Sequence, residues 1–203
     1  MKLILATHNR HKIEELSAVL RHKDIRIESL FDYPEIVLPP ETGETFVENA
    51  MGKARAVFES VKDGGAWILA DDSGLVVDAL DGRPGVYSSR YSGEPTDYAR
   101  NNRKLLDELK GVPREKRTAH FVCSIVLMAP DGKVFELEGR VDGLITDAPA
   151  GGGGFGYDPV FFVPEFGRTV AEIPLERKNK ISHRGLATQK ALAILVEFLK
   201  NRG

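Results

Sequence analysis

The spacing of apolar and polar residues predicts alternating strands and helices at both ends of the chain. Residues 2–7, KLILAT, form a short apolar run typical of a buried strand, and 24–30, DIRIESL, alternate like a half-buried strand. Between them, HKIEELSAVLRH at 11–22 repeats its apolar residues at helical spacing. A last helix over about 185–201 follows the same pattern. These elements indicate an α/β arrangement at each end.

The middle of the chain predicts further helices and strands. A helix is expected from about Thr45, because Thr45 and Glu48 form the S/T-x-x-E capping box. WILAD at 67–71 predicts a strand, and the Asp-Ser-Gly after it predicts a turn. Another helix is expected after Pro95, with Thr96 as its N-cap.

A long hairpin is predicted next. The apolar run at 117–130, RTAHFVCSIVLMAP, leads into KVFELEGRV at 133–141, and Asp131-Gly132 between them is a common hairpin turn. Helical segments that alternate with strands and a hairpin predict a mixed sheet with helices packed on it.

Composition narrows the class of protein. The chain has 203 residues, enough for a sizeable core, and a formal net charge of −2. That charge argues against a protein that coats nucleic acid or anionic membrane, although an anionic small molecule needs only a local basic cluster. Cys123 is the only cysteine, which excludes an internal disulfide and predicts a reducing compartment. The first apolar run is too short for a signal peptide, and no later segment is long enough to span a bilayer, so we expect a cytoplasmic protein.

A first candidate site is the polar turn ATHNRHK, where a strand ends and a helix begins. Free N–H groups at a helix start, together with Lys12, predict an anion site. The alternative is a capped helix with a solvated polar turn. The candidate residues are Thr7, His8, Asn9, Arg10, His11 and Lys12.

A second candidate is ADDSGL at 70–75. Strand alternation sends Asp71 and Asp72 to opposite faces, so one of them can hold Mg²⁺ or orient a water. The alternative is a plain turn. Glu41, before the second helix, is either a metal ligand or an acid that favours the helix dipole. Lys53 is expected at the surface, with facing polyphosphate as the alternative.

The glycine-rich segment GGGGFGYDP at 151–159 is the third candidate. It satisfies G-x-G-x-x-G, but Pro159 and Pro164 bracket a β-rich run, so no helix can follow as a dinucleotide fingerprint requires. The segment therefore predicts a loop whose glycines let the backbone approach a ligand. Phe155 and Tyr157 would offer stacking faces.

The fourth candidate is a cluster of cations at 176–185, ERKNKISHRG, just before the last helix. Lys178, His183 and Arg184 belong to it, and Ser182 can cap that helix. Cations near a helix start suit phosphates, and Arg can also hydrogen-bond the edge of a base. The alternative is a solvated charged face. Taken together, the four candidates predict a site for a nucleotide with a metal-bound polyphosphate.

These segments, in this order, resemble the inosine triphosphate pyrophosphatases, also called the non-standard purine nucleoside triphosphate diphosphatases (RdgB-like proteins). The matching motifs are THNRHK (7–12), ETGETFVENA (41–50), ADDSGL (70–75), GRPGVYSSRY (82–91), GFGYDP (154–159) and SHRG (182–185). They span nearly the whole chain. His8 is a departure, because the family pattern has Gly there, which bears on how closely the backbone can approach a ligand at that position.

The resemblance implies a function and its residues. It implies Mg²⁺-dependent hydrolysis of ITP, dITP and XTP to the monophosphate and pyrophosphate, which clears deaminated purines from the nucleotide pool. Asp72 would be the general base, and Asp72 and Glu41 the metal ligands. The implied substrate-binding residues are Thr7, His8, Asn9, Arg10, His11, Lys12, Ser73, Phe155, Gly156, Tyr157, Asp158, Lys178, His183 and Arg184.

The resemblance also implies an architecture. It is a single nucleoside triphosphate pyrophosphatase domain over 1–203, an α/β fold with two lobes around a long mixed sheet, with the active site in the cleft between the lobes. The implied protein is a homodimer that binds neither nucleic acid nor membrane. Two rivals stay open: a related pyrophosphatase that prefers pyrimidine triphosphates, and a non-catalytic nucleotide- or RNA-binding module. In the second, Asp72 and Glu41 would have no task.

Overall fold

The computed structural model describes residues 1–61 and 64–201. The helices are α1 (Arg10–Val19), α2 (Phe46–Ser60), α3 (Tyr98–Glu108), α4 (Leu175–Ile181) and α5 (His183–Lys200). The strands are β1 (Lys2–Leu5), β2 (Arg26–Ser29), β3 (Ala66–Val77), β4 (Thr118–Met128), β5 (Val134–Ile145), β6 (Phe161–Val163) and β7 (Arg168–Thr169). Within these ranges no helix has both the length and the apolar character that crossing a membrane requires.

The strands form one seven-stranded sheet in the order β2-β1-β3-β4-β5-β6-β7. β1 pairs in parallel with both of its neighbours, so that Leu3 lies beside Ile27 of β2 and Trp67 of β3. β6 pairs antiparallel with β5 and with β7. The sheet is therefore mixed, and the predicted α/β fold is confirmed.

The chain divides into two compact units. Unit 1 comprises Met1–Asp72, Cys123–Gly139 and His183–Gly203, and unit 2 comprises Ser73–Val122 and Arg140–Ser182. The boundaries fall within β3, β4 and β5, so each of these strands passes from one unit into the other. The two lobes implied by the resemblance correspond to these units.

Unit 1 has a hydrophobic core on each face of its strands, because side chains alternate along β1 and β3. Leu3 and Trp67 belong to a core that includes the apolar residues of α1 and α5. Ile4 and Ile68 belong to a second core, which includes those of α2. Burying each such side chain contributes about 1.5–3 kcal/mol. This alternation also governs where the polar residues in the middle of β3, Asp71 and Asp72, point.

Unit 2 has its own core around α3. Leu105 is fully buried there, and the rings of Phe121 and Phe161 pack with centroids 4.4 Å apart. The N-cap of α3 is Asp97, whose side chain accepts a hydrogen bond from the Arg100 amide at 2.9 Å. The predicted cap Thr96 is thus wrong by one residue, because the Asp97 carboxylate reaches that amide.

Two other local predictions are confirmed, and a further one is wrong. Thr45 and Glu48 form the predicted capping box of α2. Asp131 and Gly132 lie in the turn between β4 and β5, where Gly132 has a φ of 85°. The predicted turn at 72–74 is absent, since β3 stays extended through Val77. β3 lies between two neighbours in the sheet, and strand pairing overrides local turn propensity there.

The cation cluster at 176–185 is helical, which the sequence pattern did not reveal. It comprises most of α4 and the start of α5, and Ser182 separates the two helices. The Ser182 amide donates to the Lys178 carbonyl at 2.8 Å, so Ser182 ends α4 directly before α5 begins.

Candidate active site

Two adjacent carboxylates at the end of the unit 1 segment of β3 form the centre of the candidate site. Asp71 continues the row of Trp67 and Leu69, which face the core with α1 and α5. Asp72 continues the row of Ile68 and Ala70, which face the core with α2. Both side chains are buried. The predicted divergence of the two carboxylates is therefore present.

Asp71 lies among cations. Its Oδ2 is 3.0 Å from Lys12 Nζ and 3.2 Å from Arg184 Nε. Arg184 also pairs through Nη1 with Glu15 Oε2 at 2.6 Å, and all of these groups except Lys12 are almost fully buried. Burial alone would raise the pKa of Asp71, but Lys12, Arg184 and Lys53 outweigh it and hold that pKa well below its usual value. These ion pairs therefore favour the ionised form of Asp71, which serves as an anchor for Lys12 and Arg184.

Asp72 has a different set of partners. Asn49 Nδ2 donates to Asp72 Oδ2 at 3.1 Å, and Lys53 Nζ donates to Asp72 Oδ1 at 3.3 Å and to Glu41 Oε1 at 2.8 Å. Burial raises the pKa of Asp72 and the nearby Glu41 adds to that rise, against the opposing charges of Lys53 and Lys12. Burial would lower the pKa of Lys53, but the surrounding carboxylates raise it overall. Lys53 stays a cation while Asp72 is the more basic carboxylate.

Asn49 and Glu15 were not predicted as members of this site, and an inward-facing Lys53 was predicted only as an alternative. Lys53 was expected at the surface, and the structure buries it. Asn49, Lys53 and the core residue Val57 are spaced four residues apart on α2, so they share one helical face, and that spacing could have revealed the inward direction. Glu15 precedes Leu16 on the buried face of α1. A charged residue on the apolar face of a helix indicates a buried charge, which needs a polar partner from another part of the chain.

The turn at 7–12 is organised by Asn9. Its side-chain Oδ1 accepts hydrogen bonds from the backbone amides of His11 and Lys12 at 3.0 and 3.3 Å. The backbone amide of Asn9 donates to Thr7 Oγ1 at 3.1 Å. Two of the N–H groups expected to meet an anion are therefore capped within the chain. The Lys12 ammonium, which contacts Asp71, is the turn's clearest cationic feature.

His8 and Arg10 lie on the exposed side of the same turn. The ring of His8 meets that of Phe31 edge-on, with centroids 5.8 Å apart. The guanidinium of Arg10 lies 4.7 Å from the centroid of that Phe31 ring. The turn thus directs Lys12 inward and His8 and Arg10 outward.

The glycines of the 151–159 loop give its backbone room against other parts of unit 2. A methyl group on Gly151 would lie 2.6 Å from the carbonyl carbon of Ala171, and one on Gly153 2.9 Å from its oxygen. Gly154 has a φ of +70°, and a methyl there would lie 1.9 Å from Asp158 Oδ2. Gly156, with a φ of +64°, has open space beside it. The close approaches of Gly151, Gly153 and Gly154 are therefore to other protein atoms, whereas Gly156 has room beside its α-carbon.

A buried ion pair holds this loop. Lys178 Nζ lies 2.5 Å from Asp158 Oδ2, and the same oxygen accepts a hydrogen bond from the Phe155 amide at 2.9 Å. The Lys178 ammonium is 5.4 Å from the centroid of the Phe155 ring, and the ring of Tyr98 packs 5.8 Å away on α3. Phe155 is half-buried, so part of its ring stays accessible for stacking.

Tyr157 is part of the unit 2 core. Its hydroxyl donates to the Ser88 carbonyl at 2.9 Å, its side chain is only 4% exposed, and burial raises its pKa strongly. Its ring is therefore accounted for by packing, and Phe155 is the aromatic of this loop with an accessible face. Ser88 lies in the GRPGVYSSRY segment and also donates to the Gly85 carbonyl at 2.6 Å.

The predicted cation cluster separates into residues with different partners. Lys178 pairs with Asp158 of unit 2, whereas Arg184 pairs with Asp71 and Glu15 of unit 1. His183 is buried beside Arg184 at the start of α5. The solvated-face alternative fits only the exposed remainder, Arg177 and Lys180.

The donors suited to a metal ion are the two predicted carboxylates. Over residues 1–61 and 64–201, no group of three or more His, Cys, Asp or Glu is arranged around a metal position. Asp72 and Glu41 do converge, since each has an oxygen within hydrogen-bonding distance of the same Lys53 Nζ. Mg²⁺ commonly binds through one or two carboxylates together with water and substrate phosphates, so this donor set fits Mg²⁺.

Comparison with known proteins identifies relatives over nearly the whole length of the chain. A sequence model of the Ham1 family matches residues 3–194. The chain is 50% identical to the dITP/XTP pyrophosphatase of Geobacter sulfurreducens over 100% of its own length and 98% of that protein's. It is 48% identical to that of Listeria monocytogenes serovar 1/2a, over 98% and 97% of the two chains.

Solved structures of Ham1 proteins have the same fold as this chain. The HAM1 protein of Coxiella burnetii has a TM-score of 0.86 and 39% identity, with 97% of this chain and 99% of that one covered. The Ham1 protein of Staphylococcus aureus has the same TM-score and coverage at 36% identity. With a family match of this length and relatives of this identity, the chain belongs to the Ham1 family.

Proposed function

We propose that this protein hydrolyses the non-standard purine nucleoside triphosphates dITP, ITP and XTP to the monophosphate and pyrophosphate, and so removes deaminated purines from the nucleotide pool. The observation that carries the proposal is the pair of buried carboxylates, Asp71 and Asp72, with cations placed against both. The choice of substrate is supported by relatives of full-length similarity that are named dITP/XTP pyrophosphatases.

Asp72 acts as the general base. Its pKa is raised by burial, which makes its carboxylate a better proton acceptor than an ordinary Asp. It takes a proton from the attacking water, whose oxygen bonds to the α-phosphorus. The bond from that phosphorus to the oxygen that bridges the α- and β-phosphoryl groups breaks, and pyrophosphate leaves. Asn49 orients the carboxylate by donating to Oδ2, which leaves Oδ1 directed at Lys53. Ser73, the next residue along β3, contacts the substrate beside it.

Lysines offset the negative charge of the triphosphate. Lys12 and Lys53 are both held near the Asp71–Asp72 pair, at 3.0 Å from Asp71 and 3.3 Å from Asp72. Phosphoryl transfer depends mainly on positioning and on cations that stabilise charge on the phosphoryl oxygens. We assign the remaining contacts with the substrate phosphates to the turn that leads to Lys12, which comprises Thr7, His8, Asn9, Arg10 and His11.

Asp72 and Glu41 are the residues that would hold Mg²⁺. When bound, the ion would offset negative charge on the phosphate oxygens. Lys53 donates to one oxygen of each carboxylate, which holds Asp72 and Glu41 near each other.

Base recognition begins with stacking. Phe155 offers the accessible ring face of the 151–159 loop, a contact worth about 1–3 kcal/mol per base by analogy with nucleic-acid stacking. The buried pair of Asp158 and Lys178 keeps the loop in place, and Gly156 and Tyr157 shape its backbone. The loop can therefore meet the base without an ordering cost at each binding event.

Selectivity for 6-oxo purines follows from hydrogen-bond donors. A 6-oxo group accepts hydrogen bonds, whereas the amine of adenine donates them. His183 and Arg184 lie where the main chain enters α5, and we assign the reading of the 6-oxo group to N–H donors of this segment. Adenine leaves such buried donors unpaired, and rejection on that basis can reach about 10⁴-fold.

We further propose that both units act as one catalytic domain over residues 1–203 and that the enzyme works as a cytoplasmic homodimer. The family match spans segments of both units. Light scattering on the purified protein checks the stoichiometry: a mass of twice 22.4 kDa is expected, and a monomer at micromolar concentration contradicts it.

A pyrophosphate-release panel tests the function. The substrates are dITP, ITP, XTP, GTP, ATP and UTP, each with and without Mg²⁺. We expect the first three to exceed the others in kcat/KM by orders of magnitude, and only with Mg²⁺ present. Comparable turnover of ATP contradicts the proposed selectivity, preferred UTP turnover indicates the pyrimidine-specific rival, and nucleotide binding without any pyrophosphate release indicates a non-catalytic module.

A further inference from the structure

Gly139 of β5 packs directly against the backbone of α5. A methyl group at this position would lie 2.0 Å from the carbonyl oxygen of His183 and 2.6 Å from the amide nitrogen of Ala187. Both are backbone atoms, so neither can swing away as the end of a side chain would. They are the acceptor and donor positions that close the first turn of a helix beginning at His183. The absence of a side chain at Gly139 therefore determines how close the first turn of α5 lies to β5.

A second contact ties the two elements together on the same side. Lys190 Nζ donates to the carbonyl oxygen of Glu138, the residue before Gly139, at 2.7 Å. His183, Ala187 and Lys190 are spaced i, i+4, i+7, which places them on one face of the helix. That face lies along residues 138–139 of β5.

The turn held in this way carries two residues of the proposed site. Arg184 is 3% exposed, and its guanidinium bridges Glu15 of α1 and Asp71 of β3. A guanidinium forms its hydrogen bonds in a rigid planar fork, so whether it can reach both carboxylates depends on the position of the arginine backbone. Three elements thus set the place of Arg184: two through its side chain, and β5 through the contact of Gly139 with the turn.

We propose that Gly139 is a positioning residue for the reaction: its bare α-carbon sets the position of the first turn of α5, and with it His183 and Arg184. The inference rests on the proposed function, in which those two residues face the base. A glycine inside a strand commonly marks the close approach of another backbone. Moving the contact from 2.0 Å to the ordinary 3.4 Å shifts the turn by more than an ångström.

The expected effect of Gly139→Ala is a loss of kcat/KM for dITP of about 10- to 100-fold, since a misplacement of about 1 Å can cost 10²-fold. The variant should still fold, because Ala187, Ala191 and Leu195 keep α5 in the core of unit 1. Gly64→Ala is the matched control: a methyl there meets nothing within 4 Å, and activity should be unchanged.

A double-mutant cycle separates positioning from general structural damage. Gly139→Ala is measured in the wild-type protein and in Arg184→Lys, with kcat and KM for dITP and a thermal melt for each. If Gly139 acts through Arg184, its effect on kcat/KM shrinks severalfold in the Arg184→Lys background. A folded Gly139→Ala protein with wild-type kcat/KM, or an equal loss in both backgrounds, overturns the proposal.

If Gly139→Ala does not fold, Lys190→Met replaces it in the same cycle, since it cuts the tie to Glu138 at the surface without adding atoms at residue 139. A severalfold rise in KM for dITP that disappears in the Arg184→Lys background supports the proposal, and no change overturns it. Both readings require a wild-type protein that releases pyrophosphate from dITP. Failure of the proposed function is therefore seen first, in the wild type, and is distinct from failure of the role of Gly139.

Discussion

Asp71 and Asp72 are neighbours in sequence but lie in two different regions of unit 1. The Asp71 region, toward α1 and α5, pairs the carboxylate with Lys12 and Arg184. The Asp72 region, toward α2, gives it an amide donor and one lysine shared with Glu41. Strand alternation alone produces this separation, and two identical side chains thereby acquire opposite pKa shifts.

The difference shows how two neighbouring residues of one strand can supply both an anchor and a base. Asp71, with a lowered pKa in the folded state, contributes stability that is present above its unfolded pKa of about 3.9 and is lost as pH falls through the folded value. Asp72 has a raised pKa, so its contribution has the other sign and opposes folding at neutral pH. A buried carboxylate that weakens the fold at neutral pH is best explained by its chemistry, and Asp71 by its ion pairs.

The largest effect is expected from Asp72→Asn. The substitution keeps the shape of the side chain but removes the basic oxygen, so kcat for dITP should fall by about 10²–10⁴-fold. The melting temperature should stay the same or rise, because the group that opposes folding is gone. The measurement is kcat at saturating Mg²⁺ beside a thermal melt. If the variant keeps more than roughly a tenth of wild-type kcat, a residue other than Asp72 is the base.

Asp71→Asn is the neighbouring control and should behave in the opposite way. It removes the anion between Lys12 and Arg184, so stability should fall clearly, by about 3–5 kcal/mol as for other broken buried pairs. Its loss of kcat, measured on the folded protein, should be smaller than that of Asp72→Asn. A variant that is stable but inactive would reverse the roles that we assign to the two carboxylates.

Arg184→Ala should produce the next largest effect. It removes the guanidinium that pairs with both Asp71 and Glu15, and leaving buried carboxylates with less positive charge costs about 3–5 kcal/mol. Denaturant unfolding measures the loss, and kcat/KM for dITP should fall as well. Lys200→Ala, at the end of the same helix, should change neither quantity appreciably. Equal, small effects of the two substitutions would contradict the role assigned to the ion pairs of Arg184.

A smaller effect is expected in the pH dependence of Lys53→Met. The positive charge of Lys53 lowers the pKa of Asp72, so its removal should raise that pKa further. The acid limb of the kcat profile then moves to higher pH, and the maximum kcat falls by about 10²-fold with the loss of one buried donor. Lys180→Met, an exposed lysine on α4, is the control. An unchanged acid limb in Lys53→Met contradicts the pairing with Asp72.

The elements with strong periodicity could be predicted from sequence. The capping box at Thr45 and the hairpin at Asp131-Gly132 depend on local chemistry, and both are present. The turn after Asp72 was wrong because its outcome depends on pairing with neighbouring strands, which no local pattern encodes. The helix α4 was missed because charged residues conceal its two buried positions, Lys178 and Asn179.

The site was partly predictable for a similar reason. Motif order brought out Asp72, Glu41 and Lys12, since each stands in a recognisable segment. Partnerships between distant segments could not be read off, as between Glu15 and Arg184, which are 169 residues apart. The inward direction of Lys53 could have been read from its spacing with Asn49 and Val57 on α2. Its pairing with Asp72 and Glu41 could not, because that pairing arises from tertiary packing.

The most direct test of the central claim is a titration of the two carboxylates themselves. Carboxyl ¹³C shifts of Asp residues, assigned with the Asp71→Asn and Asp72→Asn variants, report each pKa in the folded protein. We predict that Asp72 titrates above the usual Asp value, while Asp71 stays ionised well below it, down to the acid limit of the fold. Equal pKa values for the two residues, or a higher value for Asp71 than for Asp72, would contradict the account of one anchor and one base.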